Sequence, residues 1–145
     1  MSNVLSWSGK EPSALDLAFP EIDPGAKPFG DRVLVQLRRS KIKTESGIQL
    51  VHETQDTNKF NEPVAKMIAL GPLAYRKRDT LEVWEEGVWA QPGDFIRVPI
   101  FGGDRWEKEI PGTSDPVEYV MFALFKDFEV TAGITENPLL VRAYV

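Results

Sequence analysis

The sequence predicts an all-β domain, and three observations carry that prediction. Eleven glycines and eleven prolines punctuate the 145 residues, so that turn signals follow one short apolar run after another, as in strands joined by tight turns. From Asp31 to Arg39 the apolar residues recur with a period of two. Only Ser13 to Phe19 (SALDLAF) offers helix, about two turns of it. The length fits one domain, and a hydrophobic share of 42% supplies an ordinary core.

Residues 1–27 read as an extended arm broken by Pro12, Pro20 and Pro24. Its apolar residues Val4, Leu5, Trp7, Leu15, Leu17 and Phe19 are suited to cover a groove on this subunit or on a neighbour. Asp31–Arg39 (DRVLVQLRR) is the clearest strand, half-buried, with Val33, Val35 and Leu37 opposite the face of Arg32, Leu34, Gln36 and Arg38. Ser40 to Asn61 is polar apart from an island at Ile48, Leu50 and Val51 after Gly47. A connection of that length inside a small domain is uncommon unless it has a function.

Pro63–Gly71 reads as a central strand, with Val64, Lys66, Ile68 and Leu70 on one side and Ala65, Met67 and Ala69 on the other. Leu73–Ala90 reads as a projecting hairpin that turns at Glu85-Glu86-Gly87 and carries Arg76-Lys77-Arg78 on its ascending arm. Pro92-Gly93-Asp94 turns into Phe95–Phe101, where Pro99 removes a ladder donor and points to an edge or a bulge. Trp106–Ile110 and Glu118–Leu124 form a further pair across Pro111–Pro116. A turn at Thr131-Ala132-Gly133 leads to a last strand, Leu139–Val145.

Composition narrows the function. Asp and Glu number 22 against 17 Lys and Arg, a net charge of −5, which argues against nucleic acid or an anionic membrane as partner. Without cysteine there is no disulfide, thiolate zinc site or thiol nucleophile, and His52 alone cannot build a histidine metal cluster. No metal and no cofactor are expected. No run reaches the roughly 18–20 apolar residues of a membrane span, and the start MSNVLSWSGK lacks a basic-then-apolar leader, so a cytoplasmic protein is expected.

P-loop, dinucleotide, nucleophile-elbow and zincin motifs do not occur. Gly102-Gly103-Asp104 reads as a structural turn, His52 beside Glu53 and Asp56 as a solvated histidine, and Glu85 with Glu86 as a solvated turn rather than a cation site. The weight falls on binding rather than catalysis, and no catalytic residue is assigned.

Five landmarks then carry a resemblance. Pro28–Val35 (PFGDRVLV) is similar to the opening Pro-Leu-x-Asp-Arg-Val-x-Val of the GroES-type co-chaperonins, and Ser46-Gly47-Ile48-Gln49-Leu50 is similar to the Gly-Gly-Ile-x-Leu of their mobile loop. Val64–Gly71 resembles their Gly-x-Val-x-Ala-Val-Gly strand. Pro92–Val98 resembles Val-Gly-Asp-x-Val-x-Phe, and Tyr119–Phe122 through Asp127-Phe128 resembles the closing strand with its Asp-Ile-Leu. Order and spacing across residues 28–131 make the case, and the divergent forms encoded by bacteriophages resemble the chain most. Ser46 stands where the family has a glycine, Gln49 is a polar middle residue, and residues 1–27 and 132–145 have no counterpart in the short bacterial form.

The resemblance implies a small, partly open β-barrel at 28–131 with a mobile loop at 40–61 and a roof hairpin at 73–90. An N-terminal arm and a C-terminal extension with a short strand flank it. It further implies a heptameric ring that caps a nucleotide-bound chaperonin 60 and has no enzymatic activity of its own. Gly47, Ile48, Gln49, Leu50 and Val51 would bind the chaperonin. Ile48 and Leu50, two apart in extended chain, suit an apolar groove. Arg76, Lys77 and Arg78 with Glu85 and Glu86 would pair between subunits at the top of the dome.

Two alternatives stay open: that Ile48–Val51 pins the loop to its own barrel, and that a phage virion or assembly protein reuses the barrel as a tile clasped by its arm and tail. A medium-chain alcohol dehydrogenase domain is set aside, because zinc-ligand cysteines and a dinucleotide half are missing.

Overall fold

A computed structural model describes residues 14–39, 41–44, 47–50 and 62–141, with 41–44 and 47–50 described by their backbone. Val4, Leu5, Trp7, Val51, His52, Glu53, Asp56 and residues 142–145 lie outside the described residues. The elements are α1 (Ala14–Ala18), β1 (Arg32–Leu37), β2 (Lys41–Thr44), β3 (Gly47–Leu50), β4 (Val64–Leu70), β5 (Phe95–Arg97), β6 (Asp104–Glu109), β7 (Tyr119–Lys126), a 3-10 turn (Asp127–Glu129) and β8 (Ala132–Gly133). Six of the strands form one antiparallel sheet in the order β6-β7-β1-β4-β5-β8, and β2 pairs with β3 alone. The sheet does not close on itself, as in a partly open barrel, so the all-β expectation holds.

One face of the sheet carries Val33, Val35, Leu37, Met67, Met121, Ala123 and Phe125, all in one buried cluster. The other carries Leu34, Val120 and Phe122, with Ile22 and Trp106 packed against them. The alternation in β7 therefore sorts odd and even residues onto opposite faces, as a pleated strand must. For β1 the expectation of one wet face fails, because every residue from Val33 to Leu37 is buried. The reason is the arm: Ile22 packs behind Leu34, and the Gln36 amide donates to the Pro20 carbonyl at 2.7 Å. A buried polar side chain is thereby satisfied.

The face assignment in β4 also needs correction. Leu34 pairs with Ala69 but Val35 pairs with Met67, leaving Ile68 as an extra residue. Such a bulge reverses the pleat beyond it, so Ala69 joins Ile68 on the arm side while Leu70 packs with Met67. Just past β4, a Cβ on Gly71 would lie 2.4 Å from the Gly30 carbonyl oxygen, so only glycine fits where the two chains cross.

Leu73–Ala90 turns at another place than the sequence suggested, and its residues 76–83 are exposed. It holds one isolated bridge, Arg76 to Val83, and the chain reverses between Lys77 and Glu82, whose backbone N–H to carbonyl bond is 2.7 Å. Glu85-Glu86-Gly87 forms a second, later turn. The base of the segment is fastened to the barrel: Tyr75, Trp84 and Trp89 pack ring against ring at centroid distances of 5.1–5.5 Å, and Ala74, Tyr75 and Ala90 enter the core.

At the other end, residues 139–141 turn rather than extend, with the Leu139 N–H donating to the Asn137 side chain at 2.9 Å. The Asn-Pro pair at 137–138 starts that turn. The supposed turn at 131–133 is instead the outermost strand, with Gly133 opposite Ile96 and Ala132 opposite Arg97. Consequently β5, shortened ahead of Pro99, is not the sheet edge.

Candidate functional site

The segment singled out for binding forms a short antiparallel hairpin. Its ladder sets Lys41 against Leu50, Ile42 against Gln49, Lys43 against Ile48 and Thr44 against Gly47. Ile48 and Leu50 thus hold positions on one face of β3 and Gln49 on the other, by the period of two. The connection has strand structure, where the sequence suggested only polar loop. Helix α1 lies against β2.

The root of this hairpin is where the structure concentrates charge in the interior. Arg38 follows β1 and Glu62 precedes β4, both side chains have 0% exposure, and Nη2 of Arg38 stands 2.8 Å from Oε2 of Glu62. That carboxylate also accepts the Val64 N–H at 3.1 Å. Nη1 of Arg38 donates to the carbonyls of Pro138 and Val141 at 2.7 and 2.6 Å. Burial pushes the Arg38 guanidinium below its usual range, and Glu62 opposes that shift. Next to it, Arg39 donates from its backbone and side chain to the carbonyls of Ala18 and Leu17, both at 3.1 Å, and pairs with Glu118.

The charges expected to meet between subunits sit on the segment over the barrel. Arg76 donates to the Leu81 carbonyl at 2.9 Å, Arg78 stands 3.4 Å from Asp31, and Glu86 accepts the Trp89 indole N–H at 3.0 Å. Lys77 and Glu85 are exposed. Below them Asp127, buried, accepts the backbone N–H groups of Tyr75 and Phe128 at 2.9 and 2.7 Å, fixing the start of the segment to the end of β7.

Sequence reasoning missed Arg38 and Glu62. Arg38 falls on the polar side of an alternating strand and Glu62 at the end of a polar stretch, so no pattern marks either as buried. The only available hint is their placement, one on each side of the long connection.

Against this geometry the chain matches the model of the family described as "Chaperonin 10 Kd subunit" over residues 25–105. It is also 32% identical over 110 residues to the protein named "10 kDa heat shock protein, mitochondrial" from Saccharomyces cerevisiae, covering 76% of this chain and 89% of that protein. The chain belongs to the chaperonin 10 family. It is a co-chaperonin by class, and the family's proteins are chaperone cofactors rather than enzymes. The family match spans β1 through β5 and both the hairpin and the segment over the barrel.

Proposed function

We propose that this protein caps the chamber of a chaperonin 60 as a heptameric ring, and that Gly47–Leu50, with Val51, is the segment that enters the chaperonin's apical domains. Family membership is the observation that carries this reading, and the β2–β3 ladder supports it by placing Ile48 and Leu50 on one face of a short hairpin. Burying two such side chains contributes on the order of 3–6 kcal/mol before ordering costs. A ring then multiplies weak contacts through effective concentration. Described residues of the arm and tail cover their own barrel, which supports the capping role over that of a tile clasped by its extensions. Its compartment is the one that holds the chaperonin, cytoplasmic on the sequence expectation.

Nucleotide-dependent pull-down with a chaperonin 60 tests the assignment. Ile48→Ser and Leu50→Ser are expected to abolish capture while leaving the melting temperature and the ring, measured by light scattering, unchanged. Unaltered affinity would overturn the role of the segment, and a large fall in melting temperature would place these residues in the core instead.

A further inference from the structure

The hairpin leaves the barrel between two feet that are bolted together. The Arg38 N–H donates to the Val64 carbonyl at 2.9 Å, the Arg38–Glu62 pair spans the same gap at 2.8 Å with no exposed surface, and Glu62 caps the first N–H of β4. The free side of the guanidinium fork reaches the tail through Pro138 and Val141. That tail packs, through Val141, Leu139 and Ile134, into the cluster that holds α1 and Phe19. Helix α1 in turn contacts β2 and receives Arg39 on its last carbonyls. Both ends of the described chain therefore converge on the root of one hairpin.

We infer that Arg38 and Glu62 are positioning residues, and that α1 and the tail hooked on Arg38 form a strap that sets where the hairpin leaves the barrel and limits its swing. A planar fork with several donors fixes direction as well as distance, and two buried charges add little stability over apolar side chains of equal size, so geometry is what the pair supplies. Limiting the swing beforehand lowers the ordering cost of capture. This inference rests on the reading of the hairpin as the capture element, although its mechanical half needs no chaperonin.

Hydrogen exchange on the full-length free protein tests that half. In R38M/E62M, where both charges are replaced together, amides of residues 41–50 and 134–141 are expected to exchange about tenfold faster, with β1, β4 and β7 keeping their protection. A second variant, Leu139→Ser with Val141→Ser, keeps the ion pair but frees the tail, and is expected to give the same pattern even if the first fails to fold. Faster exchange in the tail with none in 41–50 would overturn the strap.

Chaperonin affinity tests the other half, and is expected to fall about tenfold in either variant. A loosened hairpin that binds as tightly as the wild type would overturn the link to capture. Failure of the wild type itself to bind would overturn the proposed function and leave the exchange result standing.

Discussion

The two faces of the sheet are closed by different stretches of chain. Over the face of Val35, Met67 and Phe125 lies the segment from Ala74 to Ala90, which brings its own aromatic cluster and is pinned at its start by Asp127. Over the face of Leu34 and Phe122 lies the arm, which brings few apolar side chains and relies on carbonyls: Pro20 accepts from Gln36, and Pro24 accepts from the Trp106 indole at 2.9 Å. The first cover is an internal connection, held at both ends by strands. The second is the strip after Phe19, held over this face by Ile22 and a few directed hydrogen bonds and anchored upstream by Ala18 and Phe19. A cover of that kind loses conformational entropy on ordering and recovers it only through those contacts, so it should release before the sheet melts.

The largest test compares truncations of buried rings. Phe125→Ala and Phe122→Ala are each expected to cost about 3–5 kcal/mol in denaturant unfolding of the intact chain. In a chain lacking residues 1–25 the Phe122 effect should shrink, since its face is already open, while the Phe125 effect should stay. Equal shrinkage of both would show that the two covers are one cooperative unit.

A smaller effect separates the covers by pH. Tyr75 has no exposed surface, and its hydroxyl has no hydrogen-bond partner among the described residues. Burial, and then the nearby Asp127, pushes its pKa up to about 12, while an unfolded tyrosine titrates near ~10. Stability contributed by the neutral phenol is complete below pH ~10 and is lost as the pH rises toward 12, on the order of 2 kcal/mol. Thermal melts from pH 8 to 11.5 should show that decline, and Tyr75→Phe should flatten it with little change at pH 7.

The smallest expected effect is Trp106→Phe, which keeps the stacking on Phe122, a ring pair at 6.0 Å, but loses the bond to Pro24. A loss of about 1 kcal/mol is expected, together with faster amide exchange confined to residues 20–27. Faster exchange in Ala74–Ala90 as well would contradict the separation of the two covers.

Much of the sheet is legible in the sequence because β1, β4 and β7 are written in alternating or continuous apolar residues bounded by Gly and Pro. What is not legible shares one cause, a partner far away in the chain. Leu34 and Gln36 look solvated until the arm covers them, and Ala69 looks aligned with Met67 until the bulge at Ile68 shifts the pleat. Ala132-Gly133 looks like a turn until β5 supplies its ladder. In the hairpin after Gly71 the turn is misplaced to Glu85–Gly87, the stronger local turn signal, because the contacts of Tyr75 with Trp84 and Trp89 that fix the reversal at 77–82 are not local. For the candidate site, the Ile48-Gln49-Leu50 spacing is local and therefore readable, whereas Arg38 and Glu62 acquire their meaning from each other and from carbonyls about a hundred positions downstream.

That last separation bears on biosynthesis. During translation Arg38 emerges long before Pro138 and Val141, and for that interval its guanidinium has Glu62 but not the two carbonyls that its Nη1 meets in the finished fold. A chain still on the ribosome can therefore assemble β1, β4 and β7 in part, yet the emerging hairpin has its α1 contacts and not the tail until synthesis has passed Val141. Truncated products released early would carry residues 47–50 without the tail contacts on Arg38.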